Sequence, residues 1–184
     1  MRGTESALAS PLMGFADMRF ADQSFPASGI GPAASLATWP LAAGSHTVVR
    51  SRDLMRGVLT GLGFNGETVD DGVVMVSELV TNAMRHAVAP FELRLYRSPR
   101  VVVCEVVDGL ETLPKLPSTG RAPLTLDDID AVLDPALLEC GRGLDVVHRL
   151  SQGWCGAYPT KISTTIPTTT GKAVAFALPL PDIS

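Results

Sequence analysis

Val48, Leu54, Met55, Val58, Leu59 and Leu62 recur at helical spacing. They predict a helix from Ser45, a residue suited to cap it, to Leu62. Gly61, Gly63 and Gly66 then punctuate the chain. Beyond them Val69, Val73, Val76, Val80, Ala83 and Ala87 trace one face of a second helix over Glu67–Ala87, closed by Pro90. A shorter helix is expected from Arg142 to about Leu150.

Strand character appears at 36–41, at Phe91–Tyr96 and at Val101–Val107, the last two joined by a hairpin turn at Ser98-Pro99-Arg100. Two more strands are expected at Gly153–Ala157 and Ala173–Leu178, separated by a Thr-rich loop. Residues 1–36 are rich in Ala, Ser, Gly and Pro without a sustained period, and read as a flexible tail or docking segment. Residues 37–184 then form one domain. Within it Gly109–Cys140 is a long stretch with several prolines and the acidic cluster Asp127, Asp128, Asp130 and Asp134. Stretches of that length are often lids or binding segments. The expected architecture is α+β, a two-layer α/β sandwich with helices on one face of a mixed, mostly antiparallel sheet.

Composition adds few constraints. In 184 residues, 46% are hydrophobic and 18% charged, enough for a substantial core. The formal net charge of -4 supplies no basic field, so direct nucleic-acid binding is not expected. No apolar run is long enough to span a bilayer, and polar residues interrupt the N-terminus where a signal peptide would need an apolar core. No membrane association is expected, and a cytoplasmic location is. Cys104, Cys140 and Cys155 have neither zinc nor disulfide spacing and read as small apolar residues.

Three groups of residues carry candidate chemistry. Glu78 and Asn82 lie one turn apart on the second helix, with Arg85 and His86 a further turn along. A carboxylate beside an amide oxygen suits a hard cation such as Mg²⁺, although the same stripe also reads as a solvated face. Gly141-Arg142-Gly143-Leu144 opens a helix after a long loop, where glycines admit a close ligand and free N–H groups favour phosphate. Gly-x-Gly before a helix is also common without a ligand. Asp108 ends a Val-rich strand, where its carboxylate can accept from an exocyclic amine or simply start a turn.

In this order, the three groups resemble the GHKL (HATPase_c) ATP-binding superfamily. Glu78-x-x-x-Asn82 looks like its N-box, Asp108 like its G1 position and Gly141–Leu144 like its G2 box. The wording Ser77-Glu78-Leu79-Val80-Thr81-Asn82-Ala83-Met84-Arg85-His86, followed by Gly-Arg-Gly-Leu, is similar to the stand-alone anti-sigma-factor serine/threonine kinases of actinobacteria. The resemblance implies a Bergerat-type ATP-binding fold with ATP and Mg²⁺ as cofactors. It implies Asn82 as the Mg²⁺ ligand, Glu78 as general base and Asp108 as the adenine contact. Gly141, Arg142, Gly143 and Leu144 would lie against the phosphates, with Arg85 near them. It also implies a sigma factor and an anti-anti-sigma (STAS-type) protein as partners, and leaves room for a homodimer. A non-catalytic, ATP-dependent module that sequesters a partner is the alternative. A histidine-kinase half lacks support, since no helix pair for dimerisation and phosphoacceptance precedes Thr38. The chain departs from the family in three places, of which one is the segment Pro117–Glu139, longer than expected and read as an altered ATP lid or a partner-docking insert. Gly109 is followed by Leu110 and Glu111 where further glycines are usual, and Ala173 stands where a threonine beside the adenine site is expected.

Overall fold

The computed structural model describes residues 34–117 and 142–181. Residues 1–33 of the expected tail and most of Gly109–Cys140 lie outside them. The first strand, β1 (Ala34–Leu41), begins inside the segment expected to be tail. It is followed by helices α1 (His46–Gly61) and α2 (Gly66–His86) and strands β2 (Phe91–Arg97) and β3 (Val101–Asp108). Helix α3 (Arg142–Leu150) and strands β4 (Cys155–Ile162) and β5 (Thr169–Pro179) complete the order.

The strands form one sheet in the order β1-β2-β3-β5-β4. Every ladder among the described strands is antiparallel, so the sheet is not mixed. Both edge strands contain a proline, Pro40 in β1 and Pro159 in β4, as suits positions that can lack a donor. The helices form the second layer of the sandwich. Met55 and Leu59 of α1, Val73, Val76 and Val80 of α2 and Val147 of α3 share one buried cluster with Leu93, Leu95, Val102, Cys104, Val106 and Phe176 of the sheet. Burial raises the pKa of both the Cys104 and Cys155 thiols, which therefore act as apolar side chains.

Local chemistry fixes the helix starts differently. Asn65 caps α2, its side chain accepting from the Thr68 amide at 2.8 Å. Ser45 makes no such bond ahead of α1. There the Thr47 hydroxyl donates to the Ala42 carbonyl instead. Ser77 serves the packing of α1 on α2, accepting from Arg52 Nε at 2.7 Å and donating to the Val73 carbonyl.

The opposite face of the sheet is also buried, and it carries charge. Glu92, Arg94 and Glu105 are each no more than 2% exposed. Arg94 Nε donates to Glu92 at 2.7 Å, and its guanidinium reaches Thr160 and the Lys161 carbonyl on β4. The Tyr158 hydroxyl donates to Glu105, and the Thr164 amide to Glu92. β4 and the loop after it thus curl back across this face to reach β2. Ala173, Ala175 and Ala177 line the face of β5 beneath them.

Two carboxylates share one guanidinium here, and they are unequal. Burial opposes the charge on Glu92, but hydrogen bonds from Thr164 and the nearby Arg94 hold its pKa below the ordinary value. Burial pushes Glu105 up to about 7 despite the Tyr158 bond, and Glu105 Oε2 has no hydrogen-bond partner among the described residues. The folded state therefore holds the Glu105 proton more tightly than the unfolded chain. That contribution to stability is full below the unfolded pKa of 4.5 and is lost as pH rises through about 7. Glu105→Gln, which keeps the shape without the charge, is expected to flatten this decline. Urea midpoints at about pH 5 and pH 8 measure it: wild type loses more between them than the variant, and an equal loss would place the titrating group elsewhere.

Candidate functional site

A cavity of about 490 Å³ opens between the helical layer and the sheet. One wall is a single face of α2, formed by Leu79, Asn82, Ala83 and His86 at three- and four-residue steps, continued by Ala87 just past its end. Its floor is the neighbouring pair β3 and β5, through Val106, Asp108, Lys172 and Val174. Leu110, Thr112, Leu113 and Pro114, from the chain leaving β3, close another side, and Leu144 of α3 a further one. The lining is apolar apart from a few convergent polar groups, the usual make-up of a small-molecule site.

At the α3 end the backbone comes very close to the two polar groups of α2. A Cβ added at Gly143 would lie 2.7 Å from Glu78 Oε2 and 2.9 Å from Asn82 Nδ2. Glycine is what allows the first turn of α3 to approach Glu78 and Asn82 so closely. Both side chains are half-buried. A carboxylate and an amide thus stand together against the first turn of α3.

At the opposite end Asp108 is buried, and its Oδ1 accepts two hydrogen bonds. One comes from the Leu110 amide at 2.9 Å, the other from Lys172 Nζ at 2.7 Å. Lys172 also donates to the Leu110 carbonyl at 3.2 Å. Gly171 makes this approach possible, because a Cβ there would fall 2.0 Å from the Asp108 carbonyl oxygen. The Gly109 amide donates to the Val88 carbonyl at 2.8 Å, which ties the chain after Asp108 to the end of α2.

The structure thus brings Glu78, Asn82, Gly143, Leu144 and Asp108 to one cavity or its rim. Arg85 is exposed and does not line it; the cavity residue of that turn is His86. Gly141 lies outside the described residues, as does Cys140, and Arg142 is described only as the first residue of α3. Ala173 does not face Asp108. It belongs to the opposite face of the sheet, and the residue beside Asp108 is Lys172. Strand alternation carries the signal for Lys172: it shares a face with Val174 and Phe176 only if β5 begins before Ala173. Among the described residues, no group of acidic, histidine or cysteine side chains forms a metal cage by itself. A cation held here would need ligand oxygens as well, which is how Mg²⁺ binds with nucleotides. Asn82 and Glu78 offer the oxygen chemistry that such an ion takes.

A family model described as a histidine kinase-like ATPase domain matches residues 41–157, more than half of the chain. Comparison with curated proteins gave no match.

Proposed function

The chain belongs to the histidine kinase-like ATPase family, and from that premise we propose that it is a Mg²⁺-ATP-dependent regulatory serine/threonine kinase of the anti-sigma-factor type. It would bind a sigma factor and phosphorylate an anti-anti-sigma partner. The observation that carries the nucleotide reading is the Gly143 contact, which sets the first turn of α3 against Glu78 and Asn82 at the rim of a purine-sized cavity, where its amides would meet phosphate. Asn82 would hold Mg²⁺ through its amide oxygen together with the phosphates, and the ion would offset their charge. Glu78 would take the proton from the attacking hydroxyl. Asp108 would accept from the exocyclic amine of the base.

The Lys172–Asp108 pair favours a second reading. A base-contacting carboxylate already paired with an ammonium supports weaker nucleotide hold, which suits a module that sequesters a partner without transferring phosphate. Incubation with γ-labelled ATP and each anti-anti-sigma protein of the same genome separates the two. Label on a partner serine or threonine supports the kinase; stable partner binding with no label supports the module. Binding itself is tested by calorimetry with and without Mg²⁺. Asn82→Ala is expected to remove the metal-dependent part of ATP affinity while leaving metal-free binding within about threefold, since one charge-assisted contact is lost. Absence of heat with wild type at millimolar nucleotide would overturn the nucleotide reading.

A further inference from the structure

The base end of the cavity is not a bare carboxylate. Asp108 and Lys172 are both buried there, with Nζ 2.7 Å from Oδ1, so an acceptor and a donor stand side by side on the cavity floor. Lysine carries three N–H donors. Among the described residues two of them are directed to Asp108 and to the Leu110 carbonyl, leaving one for a ligand.

A lone buried carboxylate selects adenine because it accepts from the exocyclic amine and repels the O6 oxygen of a 6-oxopurine. An ammonium beside it removes that repulsion. Adenine presents an amine donor next to the N1 acceptor, and guanine or hypoxanthine presents the O6 acceptor next to the N1–H donor. Each is satisfied by one donor and one acceptor, in opposite order. We propose that Lys172 is a specificity-determining residue that, paired with Asp108, lets this site take 6-oxopurine nucleoside triphosphates as well as adenine nucleotides. The proposal rests on the nucleotide reading of the cavity.

Calorimetric titration of the full chain with the Mg²⁺ complexes of ATP, GTP, ITP and CTP tests it. GTP and ITP are expected to bind within about tenfold of ATP, and at least about tenfold more tightly than CTP, whose single ring presents an adenine-like edge but buries less apolar surface than a purine. Lys172→Thr is expected to weaken GTP and ITP by at least about tenfold more than it weakens ATP, because the 6-oxopurines lose their donor and also meet the bare Asp108 carboxylate, whereas adenine loses only the donor to N1. A wild-type GTP constant more than tenfold weaker than that of ATP, or no tighter than that of CTP, overturns the proposal. So does a Lys172→Thr protein whose losses for ATP and GTP are equal. If that variant does not fold, the wild-type series decides the question alone. Binding of ATP without GTP overturns this inference only, whereas binding of neither overturns the nucleotide reading with it.

Discussion

Gly143→Ala is expected to leave the protein folded and to weaken Mg²⁺-ATP binding by about 10- to 100-fold, the cost of losing a hydrogen bond to a charged group. The added methyl would meet Glu78 Oε2 at 2.7 Å and Asn82 Nδ2 at 2.9 Å. Both are the ends of flexible side chains, so the helix frame can stay while the two groups swing away. Alanine within α3 also favours the helix by roughly 0.5–1 kcal/mol over glycine. The variant should therefore melt no lower than wild type and yet fail to hold nucleotide. Calorimetry beside a thermal melt reads both quantities. Wild-type affinity in the variant would show that Glu78 and Asn82 take no part in binding.

Glu78→Gln is expected to separate binding from transfer. The amide keeps the shape and reach of the carboxylate, so its fit against Gly143 is retained and ATP affinity should change little. What is lost is the basic oxygen. General-base assistance contributes about 10²–10⁴-fold, and single-turnover labelling of the partner should fall by that factor. The two variants differ in kind: Gly143→Ala loses nucleotide, and Glu78→Gln keeps nucleotide but loses phosphoryl transfer. A Glu78→Gln protein that labels its partner at the wild-type rate would remove Glu78 from the role of base.

Much of the frame is legible in the residues because it follows from period alone. The apolar steps of α2 and the Val run of β3 predict their elements to within a residue or so. The β4–β5 hairpin is not legible in the same way. Its strands run to Ile162 and from Thr169, well beyond the expected 153–157 and 173–178, because Pro159-Thr160-Lys161 and Thr169-Thr170-Gly171-Lys172 read as loop. They become strand by pairing with each other, a non-local effect that propensity does not carry. The site divides along the same line. Glu78, Asn82 and Asp108 stand on elements whose period is clear, so their convergence could be expected. Lys172 stands on the polar extension of β5, where no local period points to its partnership with Asp108.

The charged cluster on the outer face has a consequence for how the chain reaches this fold. β3 is apolar on both sides apart from Glu105 and its terminal Asp108. Its valines would therefore pack nearly as well if the strand slid one residue along its neighbour. Such a slide turns every side chain to the other face. Glu105 would then enter the layer under the helices, away from Arg94 opposite it and from the Tyr158 hydroxyl. β2 raises the same barrier, since its slide would exchange Glu92 and Arg94 with Leu93 and Leu95. A buried carboxylate left alone is costly enough to make the slipped alignments poor competitors. The cluster that makes stability depend on pH is thereby also what gives an otherwise ambiguous valine strand a single alignment.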